Sequence, residues 1–334
     1  MTATDSTQQS VSYPAIDLFK WIAAFLVASM HSAPFIQNET VNYFFTCFCR
    51  IAVPFFFVFS SFIFFKRKRD IVPFIKRLLL LYLFWFVLES PIVYYNFFVA
   101  PEGPLIKKIL IFLRGLFINS TFPGSWFITA LWQGVLIVWW LSKRISNKWL
   151  FVLGAFCILA PLPGTLYYGL IHNTPLQRPY WIFNMIFCPA NSFITAIPYC
   201  IAGKYLAEMS KITASNKIGI FFFLAFLLGI IETTACKKSY YMSDTYIALY
   251  IFTPLLVLLL LSSRINLPTA ITLYFRKTSI LVYFLHLPII FILQFFFQIE
   301  NGSTCWLITI PTAIVLATII YLLSLRIPLL KKLY

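Results

Sequence analysis

The stretch at residues 16–31 reads IDLFKWIAAFLVASMH and holds one Asp, one Lys and one His among apolar and small side chains. With the residues that follow, it approaches the roughly 20 residues that a helix needs to cross a bilayer. Similar stretches recur along the whole chain, and the apolar segment 105–118 is interpreted as interfacial or re-entrant. We predict ten transmembrane helices at about residues 16–35, 44–65, 77–99, 126–142, 149–169, 183–205, 218–235, 245–263, 278–298 and 305–325.

The composition agrees with this pattern. Of the 334 residues, 61% are hydrophobic and 11% are charged, whereas soluble domains are about 45–50% apolar and about 25% charged. So few charges cannot cover the surface of a water-soluble protein. The composition therefore excludes a soluble enzyme, a disordered chain and a collagen-like chain. The fold class that we predict is all-α, a polytopic transmembrane helical bundle in a lipid bilayer.

The basic residues indicate the orientation of the bundle. The formal net charge is +16, from 26 Lys and Arg against 10 Asp and Glu. These residues form short clusters between apolar stretches, which is typical of membrane topology signals and not of a nucleic-acid-binding surface. With the N-terminus inside, most of them fall in cytoplasmic loops, and ten helices then place both termini in the cytoplasm. We predict a polar cytoplasmic tail over residues 1–15 and one transmembrane domain over residues 16–334.

The first predicted helix carries three ionisable residues on one face. Asp17, Lys20 and His31 are separated by three and eleven residues, which are close to whole numbers of turns. His31 lies about 16 Å beyond Lys20 along the axis. A cation at the cytoplasmic end and an imidazole deep in the membrane suggest a channel for a long anionic molecule. The distance between them is close to the length of a pantetheine arm. Alternatively, Lys20 reaches the interface and pairs with Asp17; for His31 we favour function, because it lies too deep to reach water.

Other ionisable residues within the predicted spans are candidates because burial in a membrane is costly. Glu89 lies in mid-span beside a proline, which favours a functional role, whereas Glu232 is interpreted as solvated at a helix end. His286 precedes Pro288, so it either satisfies the carbonyl that the proline frees or lines a channel. Trp126 fits an aromatic belt at the membrane interface, or alternatively an acceptor site.

Four blocks in order along the chain resemble the acyltransferase-3 family of membrane proteins. They run from Ile16 to His31, from Arg50 to Ser60, from Ser125 to Leu131, and from Ser279 to Pro288. Asn191, Pro198 and Gly203 also fall where the family often has Asn, Pro and Gly. The resemblance implies ten helices and transfer of an acyl group, usually acetyl, from cytoplasmic acetyl-CoA to a hydroxyl of a surface glycan or similar acceptor in the bacterial cytoplasmic membrane.

The resemblance and the ionisable residues together give a candidate site. His31 matches the essential histidine of the family, and Lys20 matches an arginine at the acyl-CoA end of the channel. We assign catalysis to His31 and Glu89. Acyl-CoA binding is assigned to Lys20, Asp17, Arg50 and Arg69, and acceptor binding to Trp126, Asn191, Ser279, Tyr283 and His286. The co-substrate is acetyl-CoA or another acyl-CoA, and no metal is expected, because the seven Cys lack C-x-x-C spacing.

The sequence also departs from the family pattern and leaves other functions open. Lys20 replaces an arginine, and an ammonium cannot form the bidentate fork of a guanidinium. The usual Thr-Arg-Asn is replaced by Pro189-Ala190-Asn191. The first two blocks are similar to the membrane part of serine racemases from glycopeptide-resistance clusters, which favours an alternative, a membrane carrier for a small amino acid such as serine. A third hypothesis, a structural or sensory subunit, disagrees with the buried ionisable residues.

Overall fold

The computed structural model describes residues 13–122, 124–210, 212–213, 215–237 and 245–334. Helices are the only regular secondary structure in these ranges, which confirms the all-α prediction. The first helix begins at Pro14. Proline is favourable at this position because the backbone N–H of the first helical residue would have no acceptor within the helix. The last two residues of the predicted tail therefore belong to this helix, and residues 1–12 of the tail lie outside the described residues.

Fourteen α-helices follow one another in the described ranges, and short 3₁₀ or π turns link or extend several of them. They are α1 (Pro14–Ser32), α2 (Glu39–Cys49), α3 (Ala52–Lys66), α4 (Ile71–Leu88), α5 (Ser90–Tyr94), α6 (Leu105–Phe117), α7 (Trp126–Leu141), α8 (Asn147–Leu159), α9 (Gln177–Phe187), α10 (Phe193–Glu208), α11 (Asn216–Cys236), α12 (Ile247–Ser262), α13 (Thr269–Phe297) and α14 (Ser303–Ser324). Helix α6 coincides with the segment that we interpreted as interfacial or re-entrant.

Seven helical segments in the described part of the chain are long and apolar enough to cross a membrane. They are Pro14–Ser32, Glu39–Lys66, Ile71–Leu88, Asn147–Gly164, Asn216–Cys236, Thr269–Phe297 and Ser303–Ser324. The segments Gln177–Asn191 and Phe193–Glu208, bent by 41°, add an eighth if they form one span. The two other predicted positions hold the shorter apolar helices α7 and α12. By length and composition the count is therefore seven or eight, and ten is reached only if both shorter helices also cross.

The centre of the bundle is formed by α1, α3, α10 and α13. Helix α1 packs along α13, and α3 packs along α10, which also contacts α7 and α8. Ala23, Ala24 and Ala28 of α1 are fully buried, and small residues of this kind let helix backbones approach closely in a membrane. The helices α1 and α13 run parallel, because Asp17 contacts Arg276 and, further along both helices, His31 contacts His286.

The contact between α10 and α3 depends on Gly203, and this gives a first testable prediction. A Cβ at Gly203 would overlap the Oγ of Ser61 and the carbonyl oxygen of Val58 on α3. We expect Gly203→Ala to lower the free energy of unfolding by about 1–3 kcal/mol, because the two helices must move apart. The measurement is thermal unfolding of the purified protein in mild detergent.

Gly219 on α11 provides the matched control for this prediction. A Cβ at Gly219 would have no atom within 4 Å, and alanine favours a helix over glycine by up to about 1 kcal/mol. Gly219→Ala should therefore leave stability unchanged or raise it slightly. Equal stability of Gly203→Ala and the wild type would contradict the close packing of α3 and α10.

Candidate functional site

A buried carboxylate joins α1 to α13 at one end of the helix pair. Asp17 is 2% exposed. The Nζ of Lys20 lies 3.0 Å from its Oδ1, one turn along the same helix. Arg276 of α13 donates to the same carboxylate, from Nη2 at 2.6 Å and from Nε at 3.1 Å. Asp17 is therefore shared between a lysine and an arginine, and the ion pair that we considered for Lys20 is present.

Further cations surround this carboxylate. Lys20 interacts electrostatically with Arg77 as well as with Arg276. Lys277 interacts with the same two arginines and with Lys331. We call Asp17, Lys20, Arg77, Arg276 and Lys277 the inner charge cluster. It holds four cations against one carboxylate, and such an excess of positive charge attracts phosphate groups. In the orientation that the sequence predicts, with the N-terminus inside, the cluster falls at the cytoplasmic end of the bundle.

Two histidines meet further along the same pair of helices. The rings of His31 on α1 and His286 on α13 are 5.4 Å apart between centroids and are tilted by 33°. His31 lies in the last turn of α1 and is exposed, which differs from the expected deeply buried imidazole, whereas His286 is fully buried. The carbonyls of Val282 and Tyr283 lie close to the His286 ring, yet neither ring nitrogen forms a hydrogen bond of ordinary geometry with a described residue. His286 therefore does not satisfy the carbonyl that Pro288 frees, and its role in lining a channel stays a prediction.

Behind the histidines lie a tyrosine and a carboxylate. The ring of Tyr283 is 6.0 Å from that of His286, and its hydroxyl donates to the Gly124 carbonyl at 3.0 Å. Glu89, 3% exposed, interacts electrostatically with Tyr283. Neither oxygen of Glu89 has a hydrogen-bond partner among the described residues. A buried carboxyl without a partner is costly, and such groups are concentrated at functional sites.

The end of α1, near His31, is held against the start of α14. The N–H of Gly302 donates to the Ser32 carbonyl at 2.9 Å, and the hydroxyl of Ser303 donates to the Pro34 carbonyl at 2.8 Å. Next to these bonds lies a cavity of about 420 Å³. It is lined by Ile36, Gln294, Gln298, Glu300 and Asn301. The exposed His31 is therefore close in the chain to a polar cavity on the side opposite the inner charge cluster.

Arg50 and Arg69, the two arginines that the sequence assigns to acyl-CoA binding, lie in different places. Arg50 follows the last residue of α2 and interacts electrostatically with His31, and it is not among the charges that act on Lys20. Arg69 lies in the loop between α3 and α4. Partial burial, together with the positive charges of Arg67 and Arg77, lowers the pKa of its guanidinium. The structure therefore associates Arg50 with the histidines and Arg69 with the cationic end of the bundle.

The remaining candidates are more scattered. Trp126, half-buried at the start of α7, packs edge-on against Phe57 with a centroid distance of 5.9 Å. Asn191 ends a 3₁₀ turn that packs on α7 and α10. The hydroxyl of Ser279 donates to the Arg276 carbonyl within α13 at 3.2 Å. Of the five residues assigned to the acceptor, His286 belongs to the histidine pair and Tyr283 packs beside it.

Glu232 has a different role from the one that we expected. Its carboxylate accepts hydrogen bonds from the backbone N–H groups of Ile247 and Ala248, at 2.6 and 2.7 Å, and from the Tyr167 hydroxyl at 2.7 Å. Glu232 therefore caps the N-terminus of α12, where a negative charge is favourable. The interpretation as a merely solvated helix-end residue was wrong.

Sequence reasoning missed Arg276. We counted it among the topology signals because Arg276-Lys277 is a short basic pair between apolar stretches. One feature of the sequence did point to Arg276: it lies one helical turn before Ser279, where the fourth family-like block begins. The partner of Arg276, Asp17, lies 259 residues away in sequence, so no local pattern reveals the ion pair. Among the described residues, no group of three or more His, Cys, Asp or Glu is placed to hold a metal ion.

Comparisons with known proteins agree with the family-like blocks. A family model described as an acyltransferase domain matches residues 13–325. An amino-acid racemase of Enterococcus faecalis is 28% identical over 229 residues, which are 65% of this chain and 31% of that protein. A serine/alanine racemase of Enterococcus gallinarum is 27% identical over 261 residues, which are 73% of this chain and 36% of that protein. The chain thus spans about a third of the length of these relatives, and no solved structure matches it.

Proposed function

Because the chain belongs to the acyltransferase-3 family of membrane proteins, we propose that it moves an acyl group, in the first instance acetyl, from cytoplasmic acyl-CoA to a hydroxyl of a cell-envelope glycan. The observation that carries this proposal is the pair of parallel helices α1 and α13. It holds the inner charge cluster at one end and the histidine pair at the other. A cationic mouth joined to an imidazole suits a donor that has phosphates at one end and a thioester at the other.

The dimensions of α1 agree with this donor. The eleven residues from Lys20 to His31 span about 16 Å at 1.5 Å per residue. The phosphates of CoA would lie at Lys20, Arg77 and Arg276, and the pantetheine arm would extend from them toward the His31 end of α1. The thioester would then reach His31, an exposed residue in the last turn of α1.

The acceptor would approach from the opposite side. The cavity lined by Gln294, Gln298 and Asn301 carries amide groups and the carboxylate of Glu300. Amide and carboxylate side chains donate to and accept from sugar hydroxyls, whereas this cavity has no lysine or arginine among its lining residues to attract an anionic acceptor. These residues were not among our sequence-based candidates, because a polar outer loop carries no distinguishing pattern.

The imidazole of His31 acts as the general base of the acyl transfer in this proposal. His31 accepts the proton of the acceptor hydroxyl, and the oxygen attacks the thioester carbonyl carbon. The carbonyl oxygen becomes negatively charged, and the nearby cation of Arg50 stabilises it. When the tetrahedral intermediate collapses, the C–S bond breaks and the CoA thiolate takes the proton from His31. The products are an ester and free CoA, so that atoms and charge balance.

The buried groups behind His31 hold its ring in position. His286 packs beside the His31 ring, Tyr283 packs beside His286, and Glu89 is near enough to interact with Tyr283. In this proposal Glu89 acts through the histidines and does not touch the reacting atoms.

A carrier for a small amino acid is the second candidate function. The relatives are named racemases of amino acids, and the bent pair Gln177–Asn191 and Phe193–Glu208 is a broken helix of the kind that forms substrate sites in transporters. Uptake of labelled serine into proteoliposomes that contain no CoA would favour the carrier. Release of free CoA from acetyl-CoA by the same preparation would favour the acyltransferase.

The donor site gives a direct test with purified protein. We expect Lys20→Ala to weaken acetyl-CoA binding by about 10–100-fold, because a hydrogen bond to a charged group contributes about 1.5–3 kcal/mol. Binding is measured by calorimetry in detergent micelles. Lys20→Arg should bind at least as tightly as the wild type, since a guanidinium forms a bidentate contact with phosphate.

Lys217→Ala serves as the control, because Lys217 is a surface cation near the start of α11, away from α1 and α13. It should bind acetyl-CoA like the wild type. If Lys20→Ala binds acetyl-CoA as tightly as Lys217→Ala does, the inner charge cluster is not part of the donor site.

A further inference from the structure

A basic pocket, distinct from the inner charge cluster, lies at the cytoplasmic ends of α3, α4, α7 and α10. Its volume is about 680 Å³. Four cations line it: Lys68 and Arg69 from the α3–α4 loop, Lys143 after α7, and Lys204 of α10. Two carboxylates, Asp70 and Glu208, also line it. The pocket therefore keeps an excess of positive charge, and none of its lining residues belongs to the inner charge cluster.

Two of the four cations in this pocket, Lys204 and Lys143, contact other side chains. Lys204 is 7% exposed, and its Nζ lies 2.7 Å from the Glu208 carboxylate. The Nζ of Lys143 lies 3.5 Å from the centroid of the Trp139 ring. Arg69 is crowded by the positive charges of Arg67 and Arg77. An anion in the pocket would relieve this repulsion, which makes its binding favourable.

One wall of the pocket continues onto a lipid-facing surface. Val72 lines the pocket and is 71% exposed. Beyond it on α4, Leu79, Leu80 and Leu83 are all exposed, and so is Trp140 beside the pocket on α7. Apolar side chains along a membrane-spanning helix face acyl chains, and tryptophan prefers the headgroup level. A ligand with a phosphate head and apolar tails fits this combination better than a water-soluble phosphate.

We propose that this pocket binds the headgroup of an anionic phospholipid from the cytoplasmic leaflet. Its phosphate lies among Lys68, Lys143 and Lys204, and its acyl chains run along the exposed face of α4. Basic pockets between transmembrane helices on the cytoplasmic side are suited to such headgroups. Arg69, a sequence-based candidate for acyl-CoA binding, lines this pocket, so the proposal places it with the lipid headgroup and leaves the donor site to the inner charge cluster.

The test uses the full chain in mild detergent and native mass spectrometry, with dioleoyl phosphatidylglycerol or dioleoyl phosphatidylcholine added at equal concentration. We expect phosphatidylglycerol to remain bound and phosphatidylcholine to be lost. In Lys68→Gln/Lys143→Gln the affinity for phosphatidylglycerol should fall about 30-fold, since each cation near the headgroup contributes roughly a fivefold effect. The control Lys148→Gln/Lys217→Gln removes two cations outside the pocket and should bind like the wild type.

Two results would overturn the proposal. One is equal retention of phosphatidylglycerol by the two double variants, with thermal unfolding showing that both are folded. The other is displacement of phosphatidylglycerol by adenosine 3′,5′-bisphosphate in the wild type, which would make the pocket a nucleotide site. Both pocket substitutions are at exposed lysines, so we expect the variant to fold.

Discussion

Replacing His31 with alanine is expected to lower the rate of acyl transfer by about 10²–10⁴-fold, the range typical of a general base. The reason is that His31 is the exposed member of the histidine pair, whereas His286 is buried behind it and cannot take its place without moving α13. The measurement is the transfer of labelled acetyl groups from acetyl-CoA to envelope glycans in membranes that contain the protein. Acetyl-CoA binding should be unchanged, because the inner charge cluster remains intact.

The control for this experiment is His172→Ala. His172 is exposed and packs against Tyr168 in the segment before α9, so its loss should leave transfer at the wild-type rate. The two outcomes separate a chemical role of His31 from a general effect of losing an imidazole. Transfer by His31→Ala at the wild-type rate would refute the assignment of the base, and so would loss of transfer accompanied by an equal loss of acetyl-CoA binding.

Asp17→Asn is expected to have the largest effect on stability, lowering the free energy of unfolding by about 2–4 kcal/mol. Breaking a buried ion pair from one side costs about 3–5 kcal/mol, because the remaining charge is left without compensation. The lower range applies because the Arg276 side chain is 35% exposed and water screens part of its charge. Thermal unfolding in mild detergent, compared across variants, measures the change.

Two further variants sharpen this test. Asp70→Asn removes an exposed carboxylate from the α3–α4 loop and should leave the unfolding temperature unchanged. Asp17→Asn/Arg276→Gln removes both partners and should be less destabilised than the sum of the single variants, because no unpaired arginine remains. An additive double variant would show that Asp17 and Arg276 do not stabilise the fold through each other.

Part of the site could be predicted from sequence because helix geometry is local. Asp17, Lys20 and His31 share a face wherever residues 14–32 are helical, whatever packs against them. The partners of these residues could not be found in this way. Arg276 and His286 come to α1 from the other end of the chain, and only tertiary packing brings α13 alongside.

The number of spans was harder to predict than the fold class. Hydropathy identifies apolar stretches correctly, yet it does not show whether a helix stops early, as α7 and α12 do after 16 residues each. It also does not show the break at Arg50 between α2 and α3. The role of Glu232 illustrates the same limit of local patterns, because its cap on α12 depends on a helix that begins fifteen residues later.

The ion pair between Asp17 and Arg276 also imposes an order of events on synthesis. The two residues are 259 positions apart, and at about 5–20 residues per second the ribosome reaches Arg276 roughly 13–50 s after Asp17. During that interval a carboxylate destined for the interior of the bundle has no arginine to neutralise it. Lys20, one turn away on the same helix, is present from the start and supplies the positive charge. The nascent first helix thus carries its own temporary counter-ion until α13 arrives.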